Sequence, residues 1–136
     1  LYTSTFKPSQ RLSKPYFMMS VGIYAADSNQ EAERISTSTK LHFAQLRTGN
    51  IGKLAYPVDD IASLLPSSLL AGVEHNMSVT AIGDPKTVTR QLDDIITRYR
   101  PDEVMVSAMI HDPVARKRSF EIAAQAFQKI GTKEPA

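Results

Sequence analysis

VTAIGDPKTVTRQLDDIITRYRPDEVMVSAMIHD, residues 79–112, reads as a strand, a helix and a second strand, and it decides the fold class of the whole chain. Asp84 suits a helix N-cap and Pro85 the first helical position, and Val88, Leu92, Ile95, Ile96 and Tyr99 recur at helical spacing until Pro101 stops the turn. The run that follows, residues 104–110, is almost wholly apolar, which predicts a strand covered on both faces within a parallel sheet. Residues 79–83 form a shorter strand ahead of the helix. Parallel strands joined through a helix need a crossover, and its expected hand is right.

Working outward, residues 16–26 are rich in aromatic and branched side chains and predict a long buried strand despite Gly22. Ser28 and Glu31 make a capping box, and the helix it opens carries an apolar stripe of Ala32, Ile35, Thr39, His42, Phe43 and Leu46 before Gly49. Gly49, Gly52, Pro57 and Pro66 then break any long pattern. Residues 49–76 therefore read as an irregular insertion with short helical pieces at 58–65 and 67–75, and connections of this length are often functional, frequently as lids. Downstream, Asp112 and Pro113 repeat the Asp-Pro helix start, and the last helix is expected to turn Val114, Phe120, Ala123, Ala124 and Phe127 inward. Arg116, Lys117 and Arg118 oppose its dipole, so a nearby group should offset them.

Strands alternating with helices in this order make an α/β fold with parallel strands flanked by helices. Three units are too few for a closed barrel of about 250 residues. They match the last three β/α units of a partial (β/α)8 barrel. With 136 residues and 42% hydrophobic composition, one domain is expected. Sixteen basic against fourteen acidic residues leave +2, a weak argument for nucleic acid or membrane. Cysteine is absent, which excludes disulfides, thiolate metal sites and thiol nucleophiles. No apolar run approaches the roughly 20 residues that span a bilayer, and a cytoplasmic location is expected. The opening segment, residues 1–9, reads as the middle of a longer sequence, with Tyr2 and Phe6 on one helical face.

Several stretches, taken in order, resemble one family. They are Phe6-Lys7-Pro8-Ser9 with Lys14-Pro15-Tyr16; Ala25-Ala26-Asp27-Ser28 with Glu31-Ala32; Ile82-Gly83-Asp84-Pro85 with Thr87-Val88 and Gln91-Leu92; and Asp102-Glu103-Val104-Met105-Val106 running to His111-Asp112, with Arg116 to Ser119 beyond. The ordered series resembles the C-terminal part of bacterial luciferase-like flavin-dependent monooxygenases. That resemblance implies a (β/α)8 barrel, reduced flavin mononucleotide (FMN), molecular oxygen, a small organic substrate and a homo-oligomer. It also implies that most flavin contacts, including the grip on the phosphate, lie upstream of this stretch. The alternative is a free-standing α/β module that binds a small ligand or partner without catalysis.

His111 is the candidate catalytic residue, since it stands at the C-terminal end of the last strand, where barrel enzymes place their chemistry. Its competing role is to pack beside Asp112 at a helix start. His42 and His75 read as structural or surface residues. Gly83, Lys86 and Thr87 invite a phosphate, but Asp84 repels a dianion and occupies the free amides, while Pro85 removes a donor. Asp59-Asp60 and Asp93-Asp94 read as solvated faces without metal-ligand spacing, and Arg98 and Arg100 suit a helix C-terminus. No P-loop, dinucleotide fingerprint, nucleophile elbow or zinc pattern is present. Titration of this chain with FMN is predicted to show weak or no binding. Micromolar affinity that disappears on changing Lys86 or Thr87 would restore the local phosphate site.

Overall fold

The computed structural model describes residues 1–131. Its elements are α1 (Tyr2–Thr5), β1 (Met18–Ala25), α2 (Asn29–Thr48), α3 (Ser67–Asn76), β2 (Thr80–Gly83), α4 (Pro85–Tyr99), β3 (Glu103–Ser107) and α5 (Pro113–Gly131). The caps fall where the sequence puts them. Ser28 Oγ accepts from the Glu31 amide at 3.2 Å, Asp84 Oδ1 from Thr87 at 2.7 Å, and Asp112 Oδ2 from Ala115 at 2.9 Å. Hydrogen bonding to the Thr87 amide also pulls the Asp84 carboxyl below its usual range.

All three strands are parallel, and their order is β2-β1-β3. Three successive barrel strands would put β2 in the middle; here the sheet is centred on β1, so the three strands do not follow one another in the order expected of consecutive barrel units. The helices divide between the two faces accordingly. The step from β1 to β2 carries α2 on one face, and the step back across β1 to β3 carries α4 on the other, because reversing direction at constant hand changes face. Two cores follow. One packs Val21, Ile23, Ala25 and Ala81 against Val88 and Leu92 of α4 and Ile122, Ala123 and Ala126 of α5. The second packs Tyr24 and Ala26 against Ala32, Ile35 and Ala44 of α2, with Val73 of α3 and Ile110.

Several expectations change. The strand within residues 104–110 ends at Ser107, and it is not covered twice: Val104 and Val106 face the first core, while Met105 on the other face is 51% exposed. The N-terminal half of β1 shows the same asymmetry, with Met18 half exposed and Ser20 exposed. On α5, Val114, Phe120 and Ala124 point outward, because the inward row is Ser119, Ile122, Ala123 and Ala126. Leu46 is exposed on α2, whereas residues 36–40 are buried all round the helix rather than on one stripe. Within the insertion, residues 58–65 form turns, but α3 is a true helix whose Val73 is fully buried.

Two of the three cations at the start of α5 find an offset: Arg118 pairs with Asp27 at 2.6 Å and with Glu121, and Lys117 lies 4.0 Å from Glu121. Tyr2 and Phe6 meet edge to face, although α1 is only one turn long. Gly83 carries the tightest backbone demand. Its φ is +152°, and a Cβ there would come within 2.6 Å of Thr87 Cγ2 and 2.8 Å of Asn29 Oδ1. Gly83→Ala is therefore predicted to destabilise the chain by about 1–3 kcal/mol or more, read as a lowered urea midpoint. Truncating Thr87 in the same chain should not restore it, since the backbone strain and the Asn29 clash remain.

Candidate substrate crevice

The pairing of β1 is staggered. Its first half, from Met18 to Gly22, pairs with β3, and its second half, from Gly22 to Ala25, pairs with β2. Gly22 is where both neighbours meet, and a Cβ there would press on Thr80 at 3.0 Å. Beyond Ser107 the chain leaves the sheet, so the β3-facing groups of Ile23 and Ala25 lose their ladder. Ser119 of α5 replaces it: its hydroxyl accepts from the Ala25 amide at 2.9 Å and lies 3.3 Å from the Ile23 carbonyl, to which it donates. On the opposite face Thr39 of α2 holds the departing strand by donating to the Met109 carbonyl at 2.8 Å. A crevice opens between the C-terminal ends of β1 and β3, where the crossover direction reverses, and ligands of open α/β sheets bind at such a point.

Two adjoining hollows make up the crevice, with cavity volumes of about 460 and 280 Å³. Ile35, Ile110 and Ala115 supply apolar surface, and Glu31, Arg34 and Asp112 the polar rim. His111 lines the larger hollow, as expected from sequence, and its ring lies 4.1 Å from that of Tyr56 with planes tilted by 37°. Neither nitrogen of His111 has a hydrogen-bond partner among the described residues, which leaves both free for a ligand.

Tyr56 belongs to a strap, residues 50–59, tied to α2 at both ends. Asn50 donates its amide to the Gln45 carbonyl at 2.9 Å; at the other end Val58 donates to Thr37 Oγ1 at 2.9 Å, and Arg34 Nε donates to Asp59 at 2.9 Å. That ion pair is well solvated and contributes little by itself, about 0–1 kcal/mol. The Thr37 contact is partly buried and fixes the strap more firmly. Sequence reading missed Tyr56, Arg34 and Thr37 as site residues; the signal lay in Tyr56-Pro57, an aromatic held next to a stiff turn inside an otherwise featureless insertion.

The other candidates lie elsewhere. His42 and His75 do not line the crevice. Asp59 pairs with Arg34, and Asp60 accepts from the Ser63 amide at a turn. Among the described residues no cluster of three or more His, Cys, Asp or Glu could hold a metal ion, and no helix is long and apolar enough to cross a membrane. At each of the three helix starts that follow strands one amide is taken by a cap, from Ser28, Asp84 or Asp112, and two of these caps are carboxylates that oppose an anion. Asn29 Oδ1 further engages the Asp84 amide at 2.8 Å.

No protein-family model matches the chain. In sequence it is 39% identical over 130 residues to a protein of Escherichia coli K12 named luciferase-like monooxygenase, and 35% identical over 128 residues to the uncharacterized protein YvbT of Bacillus subtilis. These alignments cover 96% and 94% of this chain but 39% and 38% of those proteins, so the chain spans about two-fifths of the length of the curated relatives it matches. Among solved structures, apo-MsnO8 superposes with a TM-score of 0.69 over 93% of this chain and 39% of that one, at 23% identity, a likeness of fold.

Tyr24 gives the site a measurable handle. Burial raises its phenol above the ordinary value of about 10, outweighing the hydrogen bonds at Thr39 and Met109 that lower it. In the unfolded chain the same phenol ionises first, so the stabilisation is whole below pH 10 and falls as pH rises past it. Chemical denaturation between pH 8 and pH 11 should show a steeper alkaline loss for this chain than for Tyr24→Phe.

Proposed function

We propose that this chain, related along nearly its whole length to a luciferase-like monooxygenase, forms the substrate-facing C-terminal portion of a flavin-dependent monooxygenase acting on a small organic molecule. The observation that carries the reading is the crevice at the C-terminal ends of β1 and β3, with the unbonded imidazole of His111 in its wall. On this reading β1 and β3, paired over five residues, are neighbouring barrel strands, and β2 is an added strand on the far edge of β1. The exposed side chains Met18, Ser20, Met105 and Ser107 share the sheet face that ends at Tyr24 and the crevice, so a barrel closed by further strands would enclose both.

Reduced flavin would supply the activation of oxygen, with its phosphate held by residues other than the capped helix starts of this chain. The residues here have a narrower task. Ile35 and Ile110 exclude water, Tyr56 closes the outer side, and His111 holds or moves a proton at either ring nitrogen. The protein would work as a homo-oligomer in the cytoplasm, without nucleic acid or membrane.

The β2-β1-β3 order favours a second reading. An open sheet with a crevice at its reversal point is also how free-standing modules bind small ligands without catalysis. Product analysis of the natural gene product, supplied with a flavin reductase, FMN, NADH and isotopically labelled oxygen, separates the two. The enzyme reading predicts a labelled oxygenated product formed at the expense of the hydrogen peroxide that free reduced flavin gives with oxygen, and at least a tenfold lower kcat/KM for His111→Ala with flavin affinity unchanged within twofold. No labelled product across a broad panel of organic substrates, with no perturbation of the flavin spectrum, would leave the binding module.

A further inference from the structure

We infer that the crevice selects a flat, uncharged organic molecule and discriminates against carboxylates and other anions of the same shape. This rests on the reading of the crevice as the substrate site and names the class of ligand that site takes. Flatness comes from the walls. Tyr56 presents a ring that is 75% exposed, tilted against His111 at 4.1 Å, above a floor of Ile35 and Ile110. A planar ligand can stack on such a ring while its other face rests on apolar carbon.

Charge decides the rest. Among the described residues Arg34 is the one cationic side chain lining the larger hollow, and it is already committed, with Nε 2.9 Å from Asp59 and Nη1 3.6 Å from Glu31. Arg118 in the smaller hollow is likewise held by Asp27 and Glu121. Asp27, Glu31 and Asp112 outnumber the two arginines in the lining, so the crevice carries a formal excess of one negative charge. An anion entering it meets that field with no unpaired cation to receive it, and its desolvation goes uncompensated. A neutral molecule meets neither cost. The two free nitrogens of His111 can still orient a single polar group on it.

Indole-3-carboxamide and indole-3-carboxylate have the same shape and differ in charge, and they test the inference. With the isotopically labelled chain, the carboxamide is expected to shift the Ile35 and Ile110 methyl resonances saturably, and the carboxylate to bind at least fivefold more weakly at low salt. Glu31→Gln should bring the two affinities closer together. Tyr56→Ala should weaken the carboxamide at least threefold without changing the melting temperature, since that side chain is largely exposed. Carboxylate binding as tight as the carboxamide, or shifts confined to residues outside the crevice, or no response to either, overturns the inference. The outcomes stay separable from those of the labelled-oxygen experiment. A labelled product without a carboxamide response sinks the ligand class alone, whereas a selective carboxamide response without labelled product sinks only the enzymatic reading.

Discussion

The hydroxyl of Ser119 is the contact on which the arrangement turns. A parallel strand needs both neighbours to satisfy its alternating amides and carbonyls, and β1 has β3 beside it only as far as Gly22. Without Ser119, the Ala25 amide would be buried and unbonded, at a cost of about 1–3 kcal/mol, and the chain would have to keep β3 in register to its end. By standing in for the missing strand, one side chain of α5 lets residues 108–112 turn away towards α2. The crevice is the space so released, and Thr39 holds its other lip.

Much of this was legible in sequence because local signals and tertiary outcome agree. Ser28, Asp84 and Asp112 cap the helices they announce, and the Val88 and Leu92 row lies fully buried. What stayed hidden depends on neighbours that sequence does not order. The apolar run 104–110 looks the same whether its outer face is covered or bare, so periodicity could not tell that Met105 stands exposed. The position of β2 depends on which edge of β1 it joins, which no residue in it records. On α5 the misleading feature was Ser119: a polar residue at the centre of the inward row reads as surface, so Ala123 and Phe127 were placed inward correctly and Val114, Phe120 and Ala124 were not.

The site was half legible for the same reason. His111 was found by its place after a strand, a rule about topology that holds for open sheets and barrels alike. Tyr56 was not, because its partner is far away in sequence and its segment has no period. Helix α2 shows how the two parts depend on each other. Its buried middle, residues 36–40, carries Ser36, Thr37, Ser38, Thr39 and Lys40, a polar set that suits a helix enclosed by strap, sheet and α3 rather than one lying on a single core. Lys40 is paired there with Glu33 at 3.2 Å.

The strap has more chain than its anchors require. Between Gln45 and Thr37 the helix advances about 12 Å, while the eight peptide links from Asn50 to Val58 reach about 26 Å when extended. The surplus is taken up by bowing the strap away from α2, which is what carries Tyr56 out beside His111. The crevice thus has its outer wall where the chain is longest relative to its anchors, and shortening residues 50–58 would draw that wall in before it broke either tether.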